Sequence, residues 1–451
     1  MTDTIAAAAT PLLPSAIGIL RVSGPGASAA AAAVFRPDRG GSLTDAPPRQ
    51  LVTGQLLDRE GRVLDRVMAM WSPAPRTYTG EETAELHCHG SPAVLTEGLL
   101  ALFRQGVRQA QPGEFTRRAF LNGRMDLMQA EAVADLLEAP TAAGARRAAS
   151  QLTGPAGRSL QQLSDELTEL LAHFHAVVDY PDEDPEPFEP AEALPVLDGA
   201  VRRLEVLRRS FDRSRLLRQG IRTVVVGRPN AGKSSLMNAL LGRDRVLTSP
   251  IPGTTRDVVE DTAAAGDLLL RLTDTAGLRD SDDPLEQAGV ARSREAAAQA
   301  DLLLAVIDGA APLTEEDDEI LTLAEQAPKA VLVYTKADLP GFALPEGREA
   351  VAVSSLTGQG LDVLISRIEA LFSDGTEPEG AELLLNARQE DAARRAAEAL
   401  SAAAAGIRAG VTPDAALSDA ELALEALGEL TGRSLRSDVL DTIFSRFCVG
   451  K

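Results

Sequence analysis

Cysteine is almost absent from this sequence. Two residues, Cys88 and Cys448, cannot make a disulfide framework or a four-cysteine zinc site. That usage fits a reducing compartment, and a cytoplasmic protein is expected. Long apolar runs are missing as well. No stretch of 18 apolar residues occurs, so no membrane-spanning helix and no membrane partner are expected. The first twenty residues do not read as a secretory leader, because Asp3 stands where a leader carries Lys or Arg and prolines break the apolar run. Positive charge is in deficit, with 45 Lys plus Arg against 66 Asp plus Glu and a formal net charge of -21. This argues against a chain that coats nucleic acid by bulk charge, while leaving room for a local basic patch. Lysine is the scarcest charge: Lys233, Lys329, Lys336 and Lys451 are the four, and the other basic residues are arginine. Lysine is a compact point charge on a flexible stem and arginine a planar fork. Each lysine therefore marks a position to inspect, although Lys329 reads as a solvated surface residue.

What remains is an ordinary globular composition, 44% hydrophobic and 25% charged, in 451 residues. That length suggests about three domains. Residues 1–118 mix strand-like runs, Ala16–Val22 and Arg66–Trp71, with a helical stretch at Ser91–Phe103. Over 119–215 apolar residues step by three and four, as in Leu160, Leu163, Leu167, Leu171 and Phe174, until the acidic, proline-bearing Asp179–Pro190 interrupts. A further helix is expected near Ala193–Leu217. From 216 to 375 short apolar runs alternate with helical ones, the sign of a mainly parallel sheet covered on both faces. The strands are expected at Ile221–Val226, Leu268–Leu272, Asp301–Ile307, Ala330–Tyr334 and Ala350–Val353. Residues 376–451 are helical, alanine-rich and too few for an independent core. Pairing them with 119–215 gives the expected class, α/β and α. An N-terminal α+β domain precedes a discontinuous helical domain, and an α/β domain is inserted into the latter.

The inserted domain is expected to be a Ras-like P-loop domain, on Gly227-Arg-Pro-Asn-Ala-Gly232-Lys233-Ser234, a full G-x-x-x-x-G-K-[ST] between an apolar strand and the helix Ser235–Leu241. Backbone amides over Asn230, Ala231 and Gly232 and the helix N-terminus suit phosphate. Lys233 should reach the β and γ phosphates, and Ser234 should ligate Mg2+, with Ser235 beside it. Thr335-Lys336-Ala337-Asp338 ends a strand and is similar to N-K-x-D, whose carboxylate accepts from guanine N1 and the exocyclic amine. Adenine lacks that donor pair, so GTP is the expected nucleotide. Ser354-Ser355-Leu356 lies where the later S-A-K element belongs. Asp274-Thr275-Ala276-Gly277 matches D-x-x-G, with Asp274 toward Mg2+ and the Gly277 amide toward the γ-phosphate. Gly253-Thr254-Thr255 occupies the switch I position, with Thr255 the second Mg2+ hydroxyl. Leu278 follows Gly277, so no glutamine orients the water there, and the acids of Asp280–Glu286 are candidates on position alone.

Several blocks carry a resemblance over essentially the whole chain. They are ILRVSG near Arg21, TGEETAELHCHG at 79–90, PGEFTRRAFLNGRMDLMQAEAVADL at 112–136, PGTTRD at 252–257, DTAGLRD at 274–280 and FCVGK at 447–451. The sequence resembles the bacterial tRNA-modifying GTPase family MnmE (TrmE). The resemblance implies a folate-binding N-terminal domain that also makes the homodimer. It further implies a flavoprotein partner, MnmG (GidA), and modification of the tRNA wobble uridine at carbon 5 with carboxymethylaminomethyl or aminomethyl groups. A tetrahydrofolate derivative, 5-formyl or methylene, supplies the one-carbon unit. The family's folate contacts fall on Arg21, Glu85, Arg124 and Lys451. Its potassium ligands fall on Asn230, Ser249, Ile251 and Thr254, and its water-orienting glutamate on Glu286, so catalysis is assigned to Glu286 and Lys233. A different reading, a GTPase switch in ribosome or RNA assembly without modification chemistry, stays open.

Two constellations are set aside. His87-Cys88-His89 on a strand puts both histidines on one face and Cys88 on the other, a packed or folate-adjacent strand rather than a metal site. Cys448 is open between a nucleophile and a small buried thiol.

Overall fold

A computed structural model of the protein describes residues 3–179, 188–243, 261–274, 300–345, 347–372, 386–434, 437–445, 447 and 449–450. The chain divides into two compact units. One joins Met1–Ala134, Leu152–Ala200 and Arg395–Lys451; the other joins Asp135–Gln151 and Val201–Arg394.

The first unit is built on a seven-stranded sheet. Its strands are β1 (Ile5–Ala8), β2 (Ser15–Ser23), β3 (Phe35–Pro37), β4 (Val52–Leu57), β5 (Val63–Ser72), β6 (Thr83–Gly90) and β7 (Arg108–Gln109), in the order β3-β4-β5-β6-β2-β1-β7. All neighbours are antiparallel except β1 and β7. Side chains alternate across such a sheet. Leu20 and Val22 of β2 and Ala84, Leu86 and Cys88 of β6 are buried in one core with Leu95 and Leu102 of a covering helix, α2 (Pro92–Phe103); α1 (Ala27–Ala33) adds Ala27 and Ala31. Each fully buried leucine contributes roughly 1.5–3 kcal/mol. The other face carries Arg21, Glu85, His87 and Met70, and the register sets Arg21 opposite Glu85.

After α3 (Glu114–Leu121) come α4 (Leu127–Glu138), α5 (Ala142–Leu152), α6 (Pro155–Asp179) and α7 (Pro190–Gln219). The chain closes with α11 (Ala387–Arg408), α12 (Pro413–Thr431) and α13 (Ser437–Phe444), which follow the helices of the second sheet in chain order. Helices α6 and α12 pack together, and the alanines of α12 at 416, 420, 423 and 426 are buried. Small side chains let helix backbones approach closely, which accounts for the alanine-rich composition there. Near the last residues Leu127, Ala130, Leu440, Phe444 and Phe447 form one apolar cluster.

The second unit holds a six-stranded sheet, β8 (Ile221–Val226), β9 (Asp261–Ala265), β10 (Leu268–Asp274), β11 (Leu302–Asp308), β12 (Ala330–Thr335) and β13 (Ala350–Ala352), in the order β13-β12-β11-β8-β10-β9. Only the β9–β10 pair is antiparallel. On one face α8 (Lys233–Arg243) and α10 (Leu361–Phe372) pack on the sheet; on the other lies α9 (Glu315–Gln326). All seven residues of β11 are buried, as a central parallel strand covered on both faces requires.

The expected strands of this sheet lie within a residue or two of those observed; β9, an edge strand of alanines, had no strand signal. One reading needs correction. Lys329 is not freely solvated: its Nζ donates to the Leu371 carbonyl at 2.6 Å and lies 4.0 Å from the centre of the Phe372 ring. The carbonyl is one that the end of α10 leaves unsatisfied, which a cation suits. Among the described residues no helix is long and apolar enough to cross a membrane.

Candidate functional site

The loop after β8 turns sharply into α8. Asn230 has a left-handed φ of 60° and Gly232 a φ of 96°. Gly227 is fixed by close approach: a Cβ there would lie 2.5 Å from the Val306 carbonyl oxygen of β11. Ala231 is buried, while Asn230, Ser234 and Ser235 are exposed at the start of the helix. Lys233 is buried, and its Nζ donates to the carbonyls of Gly227 at 2.7 Å and Arg228 at 2.9 Å. The ammonium is thus held along the loop that the motif assigns to phosphate. An exposed Ser234 hydroxyl directly after it is a hard oxygen donor of the kind Mg2+ takes.

The base-side loop sits against the same turn. Thr335 is buried, and its hydroxyl reaches the Ala231 carbonyl at 2.5 Å and the Ile307 carbonyl at 3.1 Å. The threonine in place of asparagine therefore still ties the base loop to the P-loop. Lys336 takes a left-handed φ of 64°. The Ala337 amide donates to Val353 at 3.2 Å, which brings Ser354, Ser355 and Leu356 beside this loop. Ser354 is buried and its Oγ accepts from the Thr357 amide at 3.2 Å; Ser355 is half-buried, and Leu356 and Asp338 are exposed. Asp274 ends β10 in register with Val225.

Three residues missed in the sequence complete this end of the sheet. Asp308 accepts from Lys336 Nζ at 2.7 Å, with Arg228 Nη2 at 3.8 Å. Arg228 Nε lies 3.3 Å from the fully buried Asp317. Burial works against ionisation of Asp308. The Lys336 hydrogen bond, the Ala310 amide and the two nearby cations outweigh it and hold the carboxyl below its usual range. The signal was available: Asp308 is an acid closing an otherwise apolar strand, LLLAVID.

In the first unit the β2–β6 register brings Arg21 Nε to Glu85 at 2.9 Å, and His87 Nε2 meets the other Glu85 oxygen at 3.3 Å. Glu85 is held below the usual carboxylate range, by the His87 hydrogen bond first and then by Arg21, against a burial cost. Arg21 and Glu85 line a cavity of about 160 Å³ together with Met70, Thr77, Tyr78 and Thr83. Burial raises the Tyr78 hydroxyl above its ordinary range, opposed by Thr116 and by the charge of Arg21.

The cavity's loop, residues 77–81, is held from α3 and the turn beyond it. Tyr78 bonds Thr116 at 2.9 Å, Asn122 donates to the Thr79 carbonyl at 2.7 Å and Arg124 Nε to the Thr77 carbonyl at 3.2 Å. Arg118, wholly buried, contacts Glu81 at 3.1 Å, Glu114 at 3.0 Å and Asp3 at 2.9 Å. A buried guanidinium is tolerable only with such partners. The block PGEFTRRAFLNGR therefore acts as the buttress of the cavity loop. Arg21 Nη1 also lies 3.4 Å from the Gly450 carbonyl, Val449 bridges to Pro112, and Gly450 packs on Ala8. The final residues thus return to this cavity.

Cys88 is buried in the sheet core, and burial followed by the Asp65 charge pushes its thiol up to about 12, which suits packing rather than chemistry. No group of three or more His, Cys, Asp or Glu side chains among the described residues could hold a metal ion. Ser249, Ile251, Gly253, Thr254, Thr255, Thr275, Ala276, Gly277, Leu278, Glu286, Cys448 and Lys451 lie outside the described residues.

Two family models match consecutive stretches of the chain. The family model described as the GTP-binding protein TrmE N-terminus matches residues 4–124, and that of the MnmE helical domain matches residues 127–448. A tRNA modification GTPase MnmE of Heliobacterium modesticaldum is 43% identical over 465 residues, covering 100% of this chain and 99% of its own. That of Roseiflexus sp. (strain RS-1) is 42% identical over 464 residues with the same coverage. Among solved structures, Era of Aquifex aeolicus with GDP and aluminium fluoride is 28% identical, covers 40% of this chain and 66% of its own, and has a TM-score of 0.27. With a helical-domain model spanning most of its length and full-length relatives above 40% identity, the chain belongs to the MnmE family of tRNA modification GTPases.

Proposed function

We propose that this GTPase works with a flavoprotein partner, MnmG, to install carboxymethylaminomethyl or aminomethyl groups at carbon 5 of the tRNA wobble uridine. The observation that carries the reading is the cavity beside the Arg21–Glu85 pair, with the Gly450 carbonyl at Arg21. A carboxylate with an accepting edge suits the donor edge of a pterin, and guanidinium groups suit a glutamate tail. When bound, a tetrahydrofolate derivative would supply the one-carbon unit. Arg21 and Glu85 bind and orient it, and Arg124 joins them at the rim through the Thr77 loop. Lys451 follows Gly450 and completes the set in this reading.

In the nucleotide site Asp338 accepts from guanine, and the P-loop residues from Asn230 to Ser235 hold phosphates. Ser234 and Thr255 hold Mg2+, with Asp274 behind them. Asn230, Ser249, Ile251 and Thr254 would hold potassium, which would supply positive charge to the phosphates. Glu286 orients the attacking water. Fixed charge of this kind in a water-poor site is strongly stabilising. Pairing of two copies, through the N-terminal domain and then the G domains, closes the cation site. The domains in this reading are 1–118, 119–215 with 376–451, and 216–375, in a cytoplasmic enzyme.

The decisive experiment is nucleoside analysis of tRNA from cells lacking the protein. Loss of the carbon-5 substituents at the wobble uridine is the expected result. Unchanged tRNA together with a ribosome-assembly defect would favour a GTPase switch instead.

A further inference from the structure

The ion network at the end of β11 does more than close a turn. We propose that Asp308 is a positioning residue for nucleotide binding: set between Arg228 of the P-loop and Lys336 of the base loop, it fixes the base-reading Asp338 relative to the phosphate cradle. The inference rests on the guanine assignment made above.

The topology places Asp308 there. Strand β11 lies between β8, which leads into the P-loop, and β12, which leads into the base loop. Its last residue therefore emerges between the two loops. The carboxylate is itself anchored, because Oδ1 accepts from the Ala310 amide at 3.1 Å. A turn needs no more than that bond. The second oxygen, Oδ2, serves the two loops, at 2.7 Å from Lys336 Nζ and 3.8 Å from Arg228 Nη2.

Arg228 is fixed on its far side by Asp317, which is wholly buried and caps α9 by accepting from the Thr314 amide at 3.0 Å and hydroxyl at 2.9 Å. Two cations and two carboxylates make a closed set spanning P-loop, β11, α9 and base loop. Among the described residues Arg228 keeps buried Nε and Nη2 atoms without a hydrogen bond, so its charge is balanced by proximity alone. Removing Asp308 would leave two cations facing one another.

Lys336 gives this arrangement its leverage. Its left-handed φ is unfavourable for a side chain with a Cβ, and the ion pair at the tip of the stem helps hold it. Asp338 follows two residues later. A relaxed Lys336 backbone turns the Asp338 carboxylate away from the base edge, while Lys233 and the P-loop amides are untouched. Phosphate contacts are therefore kept and base contacts weakened.

The test uses the full chain and two probes, GDP and inosine diphosphate, which lacks the exocyclic amine that Asp338 should read. Asp308→Ala should weaken GDP binding about tenfold, the scale of a charge-assisted bond, and shrink the preference for GDP over inosine diphosphate. KM for GTP should rise with kcat within about twofold, the mark of an interaction made equally in ground and transition states. Asp308→Asn keeps the volume and one of the two accepting oxygens, so it should retain part of the preference and serves if the alanine variant folds poorly. Combining Asp308→Ala with Lys336→Met should weaken GDP no further than Lys336→Met alone, because Asp308 acts through Lys336. Losses that multiply in the double variant, or equal weakening of both diphosphates, would overturn the proposal. ATP binding by wild type would instead sink the guanine assignment, whatever the variants do.

Discussion

The two sheets of this molecule carry their sites in opposite ways. In the parallel sheet the candidate residues come from contiguous loops, Gly227–Ser234 and Thr335–Asp338, that leave β8 and β12 on either side of β11 at one end. In the antiparallel sheet they come from scattered positions, with Arg21 and Glu85 paired by register and Gly450 delivered by residues 429 positions away from Arg21. A site of contiguous loops draws most of its contacts from residues close in sequence. An assembled site depends on every element that carries a part.

The sharpest break of that comparison is Lys233→Ala. It should lower GTP turnover at least about a hundredfold, the scale for losing a charge placed on a transition state. Reduced-folate binding should stay within about twofold, because the two sites belong to separate compact units and share no residue. Titration calorimetry and steady-state turnover on the same preparation check both halves. Next in size is Asn230→Ala, which should remove most of the rate advantage of potassium over sodium while GTP binding changes little. Equal wild-type turnover in matched potassium and sodium buffers would show that potassium is not the missing catalytic group.

The assembled site is tested by Arg21→Ala and Glu85→Gln. Each should weaken reduced folate about tenfold, roughly 1.5 kcal/mol, with KM for GTP unaltered. Absence of folate binding to wild type would remove the basis for both. A smaller effect is expected from Gly450→Ala. Its φ of 102° suits glycine, and a Cβ would lie 2.2 Å from the Ala8 carbonyl oxygen. Local strain of about 1–3 kcal/mol should loosen the tail and weaken folate binding without disturbing GTP turnover. An unchanged folate affinity would mean that the tail is not part of the site.

The smallest effect concerns acid. The folded-state pKa of Glu85 is lowered by His87 and Arg21. Its contribution to stability is therefore complete above the unfolded value of about 4.3 and is lost as pH falls through the lower folded value. Thermal midpoints below about pH 4.3 should fall more steeply for wild type than for Glu85→Gln, and parallel curves would contradict the assignment.

Legibility followed the same contrast. The parallel sheet was readable because a strand buried on both faces is a continuous apolar run, as in Leu302–Ile307, and because a P-loop must be written in consecutive residues. The short strands β1, β3 and β7 carry two to four residues each, too few for a period to show. Arg21 and Glu85 were named only through the family resemblance, since cross-strand register is a property of two distant segments. The buttress role of Arg118 was not legible, and of Asp308 only its place at the end of an apolar strand could be read, not its pairing with Lys336. Nothing in a charged residue's immediate neighbours says which distant carboxylate it will meet. The scarcity of lysine did carry information: Lys233 and Lys336 both fell on the nucleotide loops, and Lys329 on a helix end.

The return of Val449 and Gly450 to Pro112, Ala8 and Arg21 has a consequence in the order of synthesis. A ribosome adding about 5–20 residues per second needs roughly 20–90 s to make the stretch between Arg21 and Gly450. For that time the N-terminal sheet exists without its closing segment, and any ligand that needs the tail has nowhere to dock. The cavity is thus completed long after the strands that frame it have emerged.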